Sequence, residues 1–157
     1  MTHNIEKVTR RGVFAGSAAP DFAATTLAGE TVRLSELRGK VVLVDFWATW
    51  CAPCVAEMPN VQKALDAHGD AGFEVLLISV DDDKAKVESF VRRRPLPGVQ
   101  VHATGGLKGE LAQLYNVTAT PAIYLIDRQG QVVATELHGE KLLKAVANAV
   151  KAKADRE

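Results

Sequence analysis

The chain has 157 residues, 47% hydrophobic and 24% charged, enough for one domain with a proper core and no disulfide staples. Its 19 lysines and arginines equal its 19 aspartates and glutamates, so no dominant field supports general binding to nucleic acid or to a membrane surface. Two cysteines exclude a multi-disulfide scaffold and leave the compartment open; no apolar run reaches the roughly 18 residues of a membrane-crossing helix.

The N-terminal "TRRGVFAGSAAPDF" puts Arg10-Arg11 ahead of small residues ending at Ala19, loosely like a twin-arginine export signal. Its apolar stretch, Val13 to Ala19, contains Gly16 and Ser17 and sits at the bottom of the usual range of about 7–15 residues. The preferred reading is a flexible arm over residues 1–18, ahead of a single domain over 19–153. "TTLAGETVRL" reads as a hairpin turning at Ala28-Gly29. "LSELRG" looks like one helical turn, with Ser35 as a cap and Gly39 as its stop. "KVVLVDFWA" is a near-continuous β-branched and aromatic run, the pattern of a central strand covered on both faces.

From about Pro53 to His68 the apolar spacing becomes helical through Val55, Met58, Val61 and Leu65, ending at Gly69 and kinked at Pro59. "FEVLLISVD" is a second buried strand. "DKAKVESFVRRR" is an amphipathic helix with Val87, Phe90 and Val91 on one side, stopped by Pro95 and Pro97; its Arg92-Arg93-Arg94 run reads as solvated charge near the negative end of the helix dipole. "VQVH" is a short strand and "LKGELAQLY" a short helix. "AIYLID" and "QVVATEL" flank Arg128-Gln129-Gly130 as an antiparallel hairpin. Glu140 to about Lys153 carries a core-facing stripe from Leu142 to Val150. Strands alternating with helices, then a hairpin and a helix, predict an α/β domain: a central mixed sheet with helices on both faces and an N-terminal β-hairpin extension.

The chemistry concentrates in "VDFWATWCAPC", which holds both cysteines. A buried strand ending at Trp47 and feeding a helix near Cys51 leaves Cys51 at the helix N-terminus, where free N–H groups and the dipole favour a thiolate. Cys54, one helical turn on, lies close enough to attack a mixed disulfide on Cys51. Pro53 suits the first turn, where its missing N–H is no loss. A metal site needs four ligands, and His3, His68, His102 and His138 show no finger-type spacing to the two sulfurs. Two inert core thiols fit the strand-to-helix placement less well than a redox pair. Asp45, a carboxyl in a buried strand, should have a raised pKa.

These residues closely resemble the thioredoxin superfamily, and within it the TlpA/ResA-like thiol-disulfide oxidoreductases. The resemblance covers roughly Ala19 to Val150. "VDFWATWCAPC" matches the thioredoxin active-site segment, "NVTATPAIYLID" looks like the segment with the superfamily's cis-proline, and "APDF", "LSELRGK" and "WCAPCVAEMP" are more typical of the TlpA-like branch. The resemblance implies a thioredoxin fold, Cys51 as nucleophile and Cys54 as resolving thiol. It implies a cis Pro121 after Thr120, whose backbone pairs with an extended substrate. Trp50, Ala52 and Pro53 would line the substrate site, with Trp47 mainly structural. Asp45 would exchange the proton of Cys54, but the position of its usual lysine partner falls on Leu77, which should leave Asp45 harder to ionise. Glu57 would modulate the cysteines or serve as a helix-surface or turn-capping residue.

The implied function is a reductant of protein or small-molecule disulfides that cycles between a Cys51–Cys54 dithiol and disulfide. It needs no bound cofactor or metal, a separate electron donor, no nucleic acid and no membrane, and works as a monomer. Its direction rests on a potential that varies by about 150 mV across the superfamily. A peroxiredoxin shares "APDF" and the "L…GK" opening, but its threonine stands three positions before the cysteine, and Thr49 precedes Cys51 by two. A copper-binding module would favour C-x-x-x-C, and a non-catalytic docking module has no need of the intact cysteines. TlpA-like relatives usually work outside the cytoplasm; with Met1 as the native start this chain would be cytoplasmic.

Overall fold

Residues 12–156 are described by the structure, a computed structural model. Strand β3 (Val41–Trp47) is buried along its whole length. A run with no polar alternation can be satisfied only at the centre of a sheet covered on both faces, and that is its place. The five-stranded sheet runs β5-β4-β3-β6-β7, with β4 (Phe73–Ser79), β5 (Val99–His102), β6 (Ala122–Ile126) and β7 (Val132–Thr135). β3, β4 and β5 are mutually parallel; β6 runs antiparallel to β3, and β7 antiparallel to β6.

Alternation along β3 sends its side chains into two different cores. Phe46 packs against Tyr115 and Tyr124, at centroid distances of 5.6 and 6.1 Å. Trp47 meets Phe90 edge-on at 5.5 Å from the other side of the sheet. Phe90 belongs to α2 (Lys84–Arg93), which with α1 (Ala52–His68), α3 (Glu110–Leu114) and α4 (Gly139–Arg156) completes the layers. Tyr115 follows α3 directly and donates to the Pro20 carbonyl at 2.6 Å, pinning the entry of the chain to this core. Each aromatic or large aliphatic side chain buried here contributes about 1.5–3 kcal/mol.

The expected hairpin is present as β1 (Ala23–Thr25) and β2 (Thr31–Arg33), a sheet of its own. Its turn uses Gly29 at φ +91°, a conformation glycine adopts without penalty. Two local expectations need correction. Leu34–Leu37 is a 3₁₀ turn with no side-chain cap from Ser35; instead the Ser35 N–H donates to the Asp21 carboxylate, 2.8 Å away, an acceptor supplied by tertiary contact. Helix α1 ends at His68 with Gly69 as its C-cap, as expected; Gly69 is right-handed (φ −56°) and leads into a 3₁₀ turn closed by Gly72 at φ +95°. "LKGELAQLY" is two pieces, a 3₁₀ turn at Gly106–Lys108 and α3, because Gly109 between them is extended. Helix α1 runs on through Pro59 to His68.

Arg10-Arg11 lie outside the described residues. From Gly16 the chain lies along β7: the Gly16 N–H donates to the Val132 carbonyl, and the Val132 N–H to the Ser17 carbonyl, both at 2.8 Å. Ala18 bridges Gln131. These bonds cover part of an edge that would otherwise be open to another strand.

Candidate active site

The end of β3 and the start of α1 make the site. After Trp47 the chain turns through residues 48–50, closed by the Cys51 N–H donating to the Ala48 carbonyl at 3.1 Å. Cys51 has extended dihedrals (φ −96°, ψ 98°) and caps α1, its sulfur accepting from the Cys54 N–H at 3.3 Å. This is the helix-start position read from the sequence, and Pro53 falls in the first turn. Cys51 and Cys54 are joined in a disulfide. Both sulfur-bearing residues are covered, at 5% and 2% exposure, whereas Trp50 is 62% exposed and Ala52 and Pro53 are exposed beside it. Trp50, Ala52 and Pro53 therefore form a solvent-facing rim beside the covered sulfurs.

Asp45 sits two residues before Trp47 on β3. Its register neighbours are Leu77 on β4 and Ile123 on β6, so the sequence match of Leu77 to the missing lysine becomes a side-by-side neighbour in the sheet. Among the described residues Oδ1 has no hydrogen-bond partner, and the residue is 2% exposed. Burial drives its carboxyl up to a pKa of about 8, with a smaller contribution from the Glu57 charge.

Glu57, on α1, holds an unexpected partner. Its Oε2 accepts from the Gly139 N–H at 2.7 Å and from Asn60 Nδ2 at 3.2 Å. Gly139 is the first residue of α4, so a carboxylate stands at the positive end of that helix. Of the roles expected for Glu57, the capping one has a visible bond.

The Thr120–Pro121 peptide bond is cis, as the resemblance implied. Ala122 is in register with Phe46, which sets Pro121 level with Trp47, at the end of the sheet where the cysteine turn begins. The Thr120 hydroxyl is buried without a partner among the described residues. Trp47 is fully buried, in line with a structural role.

A carboxylate that sequence reasoning passed over holds this turn in place. Asp81, 1% exposed, accepts from the Thr49 N–H (2.9 Å), the Thr49 hydroxyl (2.6 Å) and the Ser79 hydroxyl (2.6 Å). The His102 ring lies 2.7 Å from the Asp81 carbonyl oxygen. Thr49 stands two residues before Cys51, so the segment just after β4 clamps the active-site turn through the Asp81 side chain. In the sequence Asp81 opens a run of three aspartates, and nothing local separates it from its exposed neighbours Asp82 and Asp83. Replacing Asp81 with Ala strands donors whose burial without partners costs about 1–3 kcal/mol each. Denaturant unfolding should show a loss of roughly 3 kcal/mol, and Asp81→Asn a smaller one.

Among the described residues no group of three or more His, Cys, Asp or Glu side chains could hold a metal ion. No helix of the described residues is long and apolar enough to cross a membrane.

Residues 15–135 match the model of the AhpC/TSA family. The thiol-disulfide oxidoreductase ResA of Geobacillus kaustophilus is 37% identical over 123 residues, covering 78% of this chain and 69% of that protein. The chain belongs to the AhpC/TSA family. ResA of Bacillus thuringiensis subsp. konkukian is 33% identical to this AhpC/TSA protein over 126 residues, covering 80% and 70% of the two chains. Among solved structures, the thioredoxin domain of a thiol-disulfide oxidoreductase from Bacteroides vulgatus superposes with a TM-score of 0.82 at 31% identity, over 88% of this chain and 99% of that one. A thiol:disulfide interchange protein from a Bacteroides species gives 0.76 at 30% identity, over 88% and 91%. This AhpC/TSA chain has the thioredoxin fold and is a ResA-like thiol-disulfide oxidoreductase, with its C-x-x-C pair bridged.

Proposed function

We propose that the chain reduces disulfides of other proteins through Cys51 and Cys54. The observation that carries this is the bridged pair itself, capping α1 beneath an exposed Trp50. In the reduced protein the Cys51 thiolate, favoured by the N-terminus of α1, attacks one sulfur of the substrate disulfide. A Cys51–substrate bond forms, and the substrate's other sulfur leaves as a thiolate that takes up a proton. Cys54 then loses its proton and attacks Cys51, releasing the second substrate thiol and leaving the Cys51–Cys54 bridge. Two electrons and two protons have passed to the substrate, and a separate donor must return them.

Asp45 serves the second step. Its pKa of about 8 lies near the roughly 8.5 of an ordinary thiol, so a proton passes between the two in either direction at little cost. Trp50, Ala52 and Pro53 form the exposed rim that a substrate meets, and the Thr120 backbone ahead of cis Pro121 offers hydrogen bonds to an extended chain. Glu57 acts through its charge on Asp45 and through the start of α4. No metal or organic cofactor enters this cycle. The working unit is one domain over 19–153 in a monomer, and kinship with TlpA-like proteins supports a place outside the cytoplasm, which fractionation of cells would check.

A peroxidase reading shares the AhpC/TSA family but loses its threonine: the Thr49 hydroxyl is committed to Asp81. The deciding experiment is the reduction potential of the Cys51–Cys54 pair, by thiol counting in glutathione or dithiothreitol buffers. The expected value is near or below about −250 mV, comparable to thioredoxin. A value near about −120 mV would make the protein a disulfide donor instead.

A further inference from the structure

Beside the cysteine turn lies a groove of about 500 Å³ that the cycle above does not use, lined by Thr49, Ala85, Lys86, Ser89, Phe90 and Arg93. Five of the six come from one face of α2; Lys86 and Arg93 are seven residues, two helical turns, apart and stand at its two ends. Phe90 supplies the apolar floor, held from beneath by Trp47. Both cations are exposed, and Arg93 Nη1 donates to the Ser89 hydroxyl at 3.3 Å.

Among the described residues no acid lines the groove, and the acids of the neighbouring helix start and outer face have other tasks. The Asp83 carboxylate caps α2 at the Ala85 N–H, 3.0 Å away. Glu88 pairs with Lys84 at 3.9 Å, on a different face of the helix. Asp81, the acid nearest Thr49, is buried and occupied by Thr49 and Ser79. The groove therefore offers two positive charges without a compensating carboxylate, over an apolar floor. Its wall residue Thr49 is two residues, at most roughly 7 Å of chain, from Cys51.

We propose that this groove receives an acidic side chain of the disulfide substrate, two to four residues from the attacked cysteine, so that the protein selects disulfides with Asp or Glu on that flank. The inference rests on the reductase reading and adds a substrate class to it. The overall charge of the chain is balanced, so the preference is local to α2. It comes from short-range pairing and steering at exposed cations, both weakened by salt.

The test uses the reduced full chain and three symmetric disulfide peptides that differ in one residue near the cysteine: Glu, Gln or Lys. At low salt the Glu peptide should react about three- to tenfold faster than the Lys peptide, with Gln between, and the ratio should shrink toward one at high salt. In the double variant Lys86→Glu/Arg93→Glu the order should invert in favour of Lys, a gain that misfolding cannot produce. Equal rates for Glu and Lys peptides in the wild type, or the same order in the double variant, overturn the groove proposal and leave the reductase reading standing. If the wild type reduces neither the peptides nor a small neutral disulfide such as hydroxyethyl disulfide, both readings fall together.

Discussion

Replacing Asp45 with Asn should stabilise the oxidised protein by about 5 kcal/mol at pH 8 and leave it nearly unchanged at pH 3. The sign follows from linkage. Asp45 ionises near 3.8 in an unfolded chain but near 8 in the fold. Below the unfolded value both states hold the proton, so the wild type bears no penalty there. Between the two values the unfolded chain gives up the proton while the native one keeps it. Stability then falls by about 1.4 kcal/mol per pH unit and levels off above the folded pKa. The bridged form suits this measurement because its cysteines do not titrate. Urea unfolding at several pH values would read the slope; a wild type with no such fall would mean that Asp45 is charged in the fold.

The same substitution should also slow the resolving step proposed for the carboxyl. Without a group to take its proton, Cys54 attacks slowly, and release of the mixed disulfide should fall by on the order of 100-fold near neutral pH. Stopped-flow tryptophan fluorescence, with Trp50 beside the sulfur, separates this step from the first attack. An unchanged release rate would remove Asp45 from the mechanism while leaving the stability effect intact.

The cysteine variants should divide the two steps completely. Cys54→Ser keeps the attacking thiol and lacks the resolving one, so it should accumulate one substrate chain per molecule, detectable by mass spectrometry and reversed by dithiothreitol. Cys51→Ser should form no adduct and lose all turnover. An adduct on Cys51→Ser and none on Cys54→Ser would reverse the roles. The assignment rests on position: Cys51 caps the helix, whereas Cys54 lies within its first turn at 2% exposure.

Much of this site was legible because its signals are local. The near-continuous apolar run from Val41, interrupted only by Asp45, required a central strand, and the C-x-x-C pair with Pro53 required a helix to begin at Cys51. Thr120-Pro121 was readable as a motif by resemblance. What escaped involved partners far apart in the chain. The hydrogen bonds from Thr49 to Asp81 span 32 residues, and the Glu57 bond to Gly139 spans 82. At the 3₁₀ turn the acceptor likewise comes from 14 residues away, the Asp21 carboxylate accepting from the Ser35 N–H. Propensity can name a residue able to cap or accept, but the acceptor that wins is the one the fold brings nearest.

By itself, the sequence determined the strand-to-helix junction, the reactive pair on it and the buried carboxyl behind it. Each follows from periodicity, from backbone N–H groups that a helix start leaves free, or from the cost of burying charge. Only the tertiary structure decided that Asp45 stands between Leu77 and Ile123 with an oxygen unpaired, that Asp81 rather than Asp82 or Asp83 holds the cysteine turn, and that Lys86 and Arg93 border a groove beside it. Those outcomes depend on strand register and on which helix face packs against the sheet. They are settled by the burial of many side chains together, not by any short stretch of sequence.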